Sequence, residues 1–354
     1  NGHLLLRKNF DDNKMRSFLY ISVLMIVALT GCQKEDEAIV LPAPGPVQQV
    51  MAELGSNYDD QVYVSLSKGT MHTVSYRTFD LAFEASPQGR HIYLNGAKYM
   101  FLSHTGNADI ALADSAGSSW QVDAEHLGDD STAFGNWWSS ASVNSNGCSN
   151  VVVVDRGRLD HTGADRFRKI QVIEADDVHY RIRFSNIDNS GLTEMDIPKN
   201  PNYSLMYFSF NNGGTIVQQA PPKNDWDFVF TKYTHVYYDE PLTSPFRYYP
   251  VTGVIINFWN DVSGSVAKKD STPDYVPFMD FAYGHVYPMP FTYKADVVGF
   301  DWKYYDFGSS QYYIRPDLYF VLKDNQGFYY KLRMVDFYDH SGNKGTVTFE
   351  YQRI

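Results

Sequence analysis

The sequence contains little cysteine. Cys32 and Cys148 are the two among 354 residues. If Cys32 has another use, no intramolecular disulfide can form, and the fold must be stabilised by a buried core, for which the chain is long enough. Basic residues are also in the minority, with 30 Lys and Arg against 41 Asp and Glu and a net charge of -11. This balance argues against a nucleic-acid partner, because phosphate contacts need a concentrated cationic surface.

Motifs of catalysis and metal binding are missing from the sequence. It has no Cys-x-x-Cys pair, no His-Glu-x-x-His, no Gly-x-Ser-x-Gly and no phosphate-binding glycine loop. A single Ser-x-x-Lys match at Ser265 and Lys268 has neither its partner motifs nor a helical pattern around it. We therefore predict a protein that is not an enzyme.

One predominantly apolar run is present, at residues 18–28, and it follows Met15-Arg16-Ser17, a start that carries the positive charge of Arg16. It leads into Leu29-Thr30-Gly31-Cys32. A charged start, a short apolar core and a small-residue cleavage site are typical of a secretory signal, and the run is too short to span a bilayer comfortably. The ending resembles the bacterial lipobox, in which the cysteine is lipidated. We therefore predict a lipoprotein signal peptide over 15–31 and lipidation at Cys32.

The residues on either side of this signal complete the expected N-terminal organisation. Residues 1–14 precede Met15 and are expected to lie outside the mature protein. After Cys32, the acidic run 33–37 resembles the export signal that sends some lipoproteins to the outer face of the outer membrane; a solvated charge run is the alternative. Segment 32–47 ends in a proline-rich stretch that is typical of an extended tether. We expect an outer-membrane lipoprotein that faces the cell exterior.

The composition of the rest predicts β-structure. Aromatic residues make up 16% of the chain, with 27 tyrosines, and glycine and proline separate short apolar runs. Alternation of apolar and polar residues is the pattern of a half-buried strand. It occurs at 62–66, 207–210, 329–334 and 346–351. The predicted fold class is therefore all-β.

Three blocks recur in the same order. Residues 63–70 align with 207–213, residues 79–83 with 226–230, and residues 180–184 with 330–334, at offsets of 144, 147 and 150. Such self-similarity is the signature of an internal repeat. We predict a tandem duplication with a first domain at 48–199 and a second at 200–354. An aspartate stands in both copies of the second block, Asp80 and Asp227, which favours a structural anchor beside a buried ring over a functional role.

Both copies resemble the HmuY-like lipoproteins. The resemblance rests on an early aromatic strand ending in a glycine turn, an aromatic-Asp-hydrophobic block, and a closing hairpin at 319–333 followed by 345–351. It is specific in the second copy and degenerate in the first, where Phe79 replaces the tryptophan. It implies antiparallel β domains that bind haem on the bacterial surface and pass it to an outer-membrane transporter.

The resemblance also implies axial iron ligands in two loops, which are both histidines in the family's founding member. Here Phe307 stands where the second histidine is expected. Haem iron accepts His, Met, Cys or Tyr as ligands. The haem-ligand candidates are therefore His285 paired with Met289, or His285 paired with Tyr304 or Tyr305, and also Met279; for His285 the alternative is a hydrogen-bonded loop histidine. In the first copy, His91 and His104 favour surface loop positions.

A second hypothesis is a glycan-binding surface lipoprotein, and a third is an adhesion or interaction module with no haem. Sugar rings stack on flat aromatic side chains. Such a platform has candidates in Trp120, Trp137, Trp138, Trp259 and the segment 247–249, although aromatic residues that fill a β core give the same composition.

Overall fold

The computed structural model describes residues 44–128, 131–139 and 148–354. These residues form strands and short 3-10 turns of three or four residues, so the predicted all-β class is confirmed. In chain order the strands are β1 (Gln48–Glu53), β2 (Asp60–Ser65), β3 (Thr70–Ser75), β4 (Leu81–Glu84), β5 (Ile92–Leu94), β6 (Phe101–His104), β7 (Val152–Asp155), β8 (Phe167–Ala175), β9 (His179–Asn186), β10 (Thr193–Pro198), β11 (Leu205–Ser209), β12 (Thr215–Val217), β13 (Phe228–Val236), β14 (Tyr248–Ile256), β15 (Ser263–Lys268), β16 (Lys303–Asp306), β17 (Gln311–Ile314), β18 (Leu318–Lys323), β19 (Tyr329–Tyr338) and β20 (Lys344–Arg353).

The strands form antiparallel sheets that come in two matching pairs. Two four-stranded sheets have the orders β14-β13-β2-β3 and β5-β4-β11-β12. Two five-stranded sheets have the orders β1-β20-β19-β18-β15 and β10-β9-β8-β7-β6. The hairpin β16-β17 forms a two-stranded sheet of its own. In each pair, strands of one half of the chain take the places that strands of the other half take in the matching sheet.

Strand pairing crosses the predicted domain boundary between residues 199 and 200. β1 pairs with β20, β2 with β13, and β4 with β11. The two four-stranded sheets therefore each take two strands from either half of the chain, and β1 joins a five-stranded sheet of second-half strands. Residues Pro44–Ile354 form one compact unit. The duplication and its boundaries stay predictions about the sequence.

The repeated blocks take equivalent places for two of the three matches. The first block lies on β2 and β11, and the second leads into β4 and β13, which hold matching positions in the four-stranded sheets. The third block lies on β9 and β19, which hold the second and the third position of their five-stranded sheets. Neighbouring hairpin strands share the same alternation, so the sequence pattern did not distinguish one from the next.

Both repeated aspartates anchor a strand of the opposite half. Asp227 accepts a hydrogen bond at Oδ2 from the backbone N–H of Leu66 at 2.6 Å. Asp80 accepts one at Oδ2 from the N–H of Phe210 at 2.8 Å. Since both carboxylates are buried and both fix backbone groups, they have the structural role that the repeat favours.

The core has two large clusters, and each combines strands of both halves. One packs β2, β13 and β14 against β18, β19 and β20, and the other packs β11 against β4–β9. On β18 the side chains alternate, as a strand requires: Leu318, Phe320 and Leu322 face the first cluster. Tyr319 and Val321 face the opposite side, where the segment around Phe281 covers them.

No helix in the part of the chain that the structure describes has both the length and the apolarity of a membrane-spanning segment.

Candidate ligand-binding site

An aromatic hairpin carries two of the predicted ligand residues. In the β16-β17 pair, Tyr304 is opposite Tyr313 and Tyr305 is opposite Tyr312. Successive side chains of a strand point to opposite faces, so each pair lies on a different face of the hairpin. At the turn, Phe307 is 88% exposed. The hairpin thus presents rings on both faces and at its tip.

The outer face of the hairpin combines exposed phenols with a cation. The rings of Tyr304 and Tyr313 stack with centroids 5.8 Å apart. The guanidinium carbon of Arg315 lies 5.2 Å from the centroid of the Tyr304 ring. Tyr304 is 45% exposed, so its hydroxyl is accessible to a ligand. A tyrosine oxygen is one of the ligands that haem iron accepts.

Arg315 also lines a cleft beside the hairpin, which we name the Arg315 cleft. The cleft has a volume of about 320 Å³, and its walls include Tyr233, His235, Val266, Lys268, residues 296–301, Leu318 and Phe320. Two cationic side chains, Lys268 and Arg315, border it together with one imidazole and the two carboxylates of Asp296 and Asp301. Haem carries two carboxylates on an apolar ring; Lys268, Arg315 and the apolar walls suit these features, whereas Asp296 and Asp301 repel the carboxylates.

His235 is oriented within the cleft by a carboxylate. Its Nδ1 lies 3.3 Å from Oε1 of Glu125, and that carboxylate raises the pKa of His235. The imidazole also packs against Phe300 and Tyr237, at centroid distances of 4.9 and 4.7 Å. In the neutral ring, a proton on the Nδ1 that faces the carboxylate leaves the Nε2 lone pair for a metal. The sequence analysis missed His235, because Glu125 is more than a hundred residues away along the chain.

The inner face of the hairpin packs against the core. Tyr305 and Tyr312 are in ring contact at 5.0 Å, and Tyr312 contacts Phe337 at 5.2 Å. Below them, the Nζ of buried Lys303 donates a hydrogen bond to the carbonyl of Thr252. Burial lowers the pKa of Lys303 to about 7. This packing holds the hairpin in place and leaves its outer face for binding.

His285 lies on a short 3-10 turn whose geometry disfavours iron ligation. Its side chain is exposed and packs on Phe281 at a centroid distance of 5.5 Å. Its Nδ1 accepts a hydrogen bond from the backbone N–H of Ala282 at 3.0 Å. The neutral ring therefore carries its proton on Nε2, the nitrogen that would bind iron. Ligation through Nε2 requires that this bond break and the tautomer change.

The two predicted methionine ligands lie in the same segment as His285. Met289 is partly buried and packs with the cluster around Phe281 and Tyr319. Met279 is 62% exposed, and its Sδ lies 3.9 Å from Nη2 of Arg333. Both thioethers are therefore near the His285 turn, and Met279 is the more accessible.

The structure separates the His285 segment from the tyrosine hairpin. The segment covers the face of β18 that carries Tyr319 and Val321. The hairpin packs through Tyr312 on the cluster that holds the other face of β18. Because the two groups lie on opposite faces of one sheet, the pairing of His285 with Tyr304 or Tyr305 is not assembled.

The histidines of the first half have other partners. His91 lies 3.0 Å from Glu84 and packs edge-on against Trp138 at 4.9 Å. His104 donates through Nε2 to the carbonyl of Ala133 at 2.9 Å. His104 is exposed but is the last residue of β6, and His91 directly precedes β5 and is partly buried, so neither is a plain surface-loop residue as the sequence favoured.

Most of the tryptophans considered for a glycan platform are packed into the protein. Trp137 is buried and donates to the carbonyl of Arg90 at 2.9 Å. Trp259 donates to the hydroxyl of Tyr93 at 3.1 Å. Trp120 packs on Phe167 at 5.9 Å.

Cys32 lies outside the described residues. Within those residues, there is no group of three His, Cys, Asp or Glu side chains arranged to hold a metal ion.

Comparison with known proteins identifies the C-terminal part of the chain. Residues 202–351 match the model of the HmuY protein family. These residues belong to the HmuY family. The matched region contains the β16-β17 hairpin, Arg315, His235 and the His285 segment. None of the curated proteins is significantly similar to this chain.

Solved structures of HmuY-type proteins also align with the chain. Apo PinO from Porphyromonas gingivitis aligns at 9% identity and a TM-score of 0.25, with 88% of this chain and 98% of that one covered. The apo HmuY analog of Tannerella forsythia has the same identity and coverage with a TM-score of 0.29. A proposed HmuY-like haem-binding protein from Bacteroides vulgatus aligns at 10% identity and a TM-score of 0.22, with 86% and 90% covered. Because these TM-scores are low, we base no assignment of residues on them.

Proposed function

We propose that this protein binds haem or a related tetrapyrrole and that it is a carrier rather than an enzyme. The HmuY family match of residues 202–351 supports this ligand. One observation carries the proposal: within that region, His235, Lys268 and Arg315 border a single cleft, and Arg315 also lies over the exposed Tyr304. Imidazole and phenolate are the side chains that ligate haem iron through nitrogen and oxygen.

Each group at the cleft has a distinct task in holding the ligand. His235 supplies the Nε2 lone pair, since Glu125 holds its other nitrogen. Tyr304 supplies its side-chain oxygen as an iron ligand, and the guanidinium of Arg315 lies over its ring. Lys268 and Arg315 bind the two carboxylates of the porphyrin, and the ring of Phe300 packs on its apolar face.

The His285 segment offers a second arrangement. Here His285 pairs with Met289 or Met279 on the opposite face of the sheet, and its imidazole first gives up the hydrogen bond from Ala282. A mixed His and Met pair has a precedent among haem proteins. The two arrangements involve different residues and can be separated by mutation.

We further propose that the carrier is anchored in the outer membrane through lipidated Cys32, faces the cell exterior and delivers its haem to an outer-membrane transporter. The lipobox-like sequence that ends at Cys32 supports the anchor. Metabolic labelling with a fatty acid, compared between the native chain and Cys32→Ala, tests it: we expect the label to be lost in the variant.

Haem binding is tested by titration of haemin into the chain from Gln33 onward, which contains the whole compact unit Pro44–Ile354. We expect saturable growth of a Soret band. His235→Ala and Tyr304→Phe should each weaken binding and shift the band, because each removes a ligand atom. His285→Ala should leave the spectrum unchanged.

Tyr287→Phe is the matched control, since Tyr287 is 98% exposed and its loss removes a phenol away from the cleft. Loss of binding in His285→Ala alone would move the site to the second arrangement. The absence of any spectral change in the native chain would reject the haem proposal, and polysaccharide binding would become the next function to test.

A further inference from the structure

A second cleft lies apart from the Arg315 cleft, between strands of the first half and residues 244–248. It has a volume of about 270 Å³. Five aromatic side chains line it: Tyr99, Phe101, Trp120, Phe167 and Tyr248. The sequence marks Trp120 and the segment that contains Tyr248 as candidates for a sugar-binding platform, and the structure brings them to one site. We name this site the Trp120 cleft.

The rings of the Trp120 cleft hold one another in place and remain accessible. Phe101 meets Tyr99 and Tyr248 edge-on, at centroid distances of 4.9 and 5.5 Å. The hydroxyl of Tyr99 donates to the backbone carbonyl of Tyr248 at 2.7 Å. Tyr99 is buried, whereas the other four rings are partly exposed. Fixed rings that solvent reaches are surfaces on which the C–H face of a sugar can stack.

One of the two cations that line the cleft is unpaired. Arg166 donates through Nε to Oδ1 of Asp155 at 2.8 Å and through Nη2 to Oδ2, so these two charges neutralise each other. Arg158 is exposed, and its guanidinium makes no hydrogen bond or ion pair with any residue that the structure describes. Its guanidinium carbon lies 5.5 Å from the centroid of the Tyr99 ring. Arg158 is therefore a free fork of donors at an aromatic wall, a geometry that suits a carboxylate.

The polar groups of the cleft converge near the hydroxyl of Tyr99. Burial raises the pKa of Tyr99, the charge of Arg158 opposes this rise, and the hydroxyl of Tyr248 adds to it. Both groups therefore lie within electrostatic reach of one atom. Ser244 is engaged elsewhere, because it donates to Oε2 of Glu240 at 2.7 Å. Since Glu240 adds a negative charge at that loop, the cleft favours an anionic group only beside Arg158.

We propose that the Trp120 cleft binds an acidic monosaccharide unit, a pyranose ring that carries a carboxylate. Arg158 binds the carboxylate, Trp120 stacks on the C–H face of the ring, and the hydroxyl of Tyr248 pairs with a sugar hydroxyl. The cleft exceeds the cavity of about 150 Å³ that holds a benzene ring. Its partly exposed walls suit a sugar, whose remaining hydroxyls stay in water, better than an aromatic acid, which needs complete burial.

Titration of glucuronate and of galacturonate into the chain from Gln33 onward, followed by calorimetry, tests this site. Glucose and galactose are the matched ligands without the carboxylate, and benzoate carries a carboxylate on an aromatic ring. We expect saturable binding of at least one uronate at one site. The corresponding neutral sugar should bind at least about tenfold more weakly, as the loss of a charge-assisted hydrogen bond predicts, and benzoate should also bind more weakly than the uronate.

Two variants separate the charge from the stacking surface. Arg158→Met should weaken binding of the uronate about tenfold and leave binding of the neutral sugar unchanged. Trp120→Ala should weaken binding of both sugars, by about 2- to 10-fold. Arg181→Met, at another exposed arginine outside the cleft, is the matched control and should bind as the native chain does.

The site is independent of haem binding, because the Trp120 cleft and the Arg315 cleft share no lining residue. Arg158→Met should therefore give the haemin titration of the native chain. The proposal is overturned if neither uronate saturates, if the neutral sugars or benzoate bind as tightly as the uronates, or if Arg158→Met, folded by circular dichroism, keeps the native affinity for the uronate.

Discussion

Asp80 and Asp227 make the same backbone contact in the two halves of the chain but differ in the charges around them. Asp80 is fully buried with Lys98 at 2.9 Å and Arg156 at 3.0 Å. These two cations lower the pKa of Asp80 against the opposing effect of its burial. Asp227 has no ion pair among the described residues, and burial raises its pKa to about 6. One position of the repeat thus holds a charged network, and the other holds a carboxyl whose pKa is raised to about 6.

Asp80→Asn should be strongly destabilising. It removes the anion that compensates two buried cations, Lys98 and Arg156, and breaking a buried charge pair costs about 3–5 kcal/mol. The free energy of unfolding in urea measures the loss. Asp270→Asn, at an exposed position, is the control and should change this energy by less than about 0.5 kcal/mol. Equal values for both variants would contradict a network that stabilises the fold.

Asp227 should make the protein less stable as pH rises. Its folded pKa, about 6, is above the value of 3.8 for a free aspartate. The stability linked to this group is therefore full below pH 3.8 and is lost as pH rises through 6. Asp227→Asn keeps an oxygen for the N–H of Leu66 but does not titrate. The free energy of unfolding of the variant minus that of the native chain should therefore be larger at pH 8 than at pH 3.5, by on the order of 2 kcal/mol. Chemical denaturation at both values checks this; a constant difference would refute it.

Lys303 should have a pH effect in the alkaline range. Its folded pKa, about 7, is below the value of 10.5 for a free lysine. Between these values the unfolded chain holds more protons, so the native chain gains stability as pH rises from 7 to 10.5. Lys303→Met has no titrating group at this position. The free energy of unfolding of the variant, relative to that of the native chain, should therefore fall as pH rises from 7 to 10.5. Lys269→Met, at an exposed position, should show no such trend in the same denaturation series.

Arg315→Ala should weaken haemin binding about tenfold, which corresponds to the loss of one charge-assisted hydrogen bond. Haemin dimethyl ester lacks the free carboxylates and is the matched ligand. If Arg315 binds a carboxylate, its removal should affect the ester much less than haemin, as measured by titration of the Soret band. If the affinities for haemin and for the ester fall equally, Arg315 acts only through its contact with Tyr304 and does not bind a haem carboxylate.

The sequence predicted much of the C-terminal site region but not its assembly. Tyr304, Tyr305 and His285 were identified by their residue types and their places in a family pattern. The structure put the tyrosines and His285 on opposite faces of β18, a separation that depends on the path of the chain between residues 286 and 302. Loops of this length carry no periodic signal from which their path can be read.

His235 was missed for a related reason. Its partner Glu125 comes from a segment in the other half of the chain, and only the tertiary structure brings that segment beside β13. No spacing rule connects residues 125 and 235, so the signal that marks His235 is purely spatial.

By itself the sequence determined the all-β class and the repeat of the aspartate block, because alternation and self-similarity are local properties of the chain. It also located β2, β11, β19 and β20 to within a few residues. Only the tertiary structure decided that the four-stranded sheets each take strands from both halves, that Asp80 is paired with two cations while Asp227 has none, and that Tyr304 shares a cleft edge with His235 through Arg315. These contacts join residues far apart in the chain, and their pairing follows from packing of the whole core rather than from any local pattern.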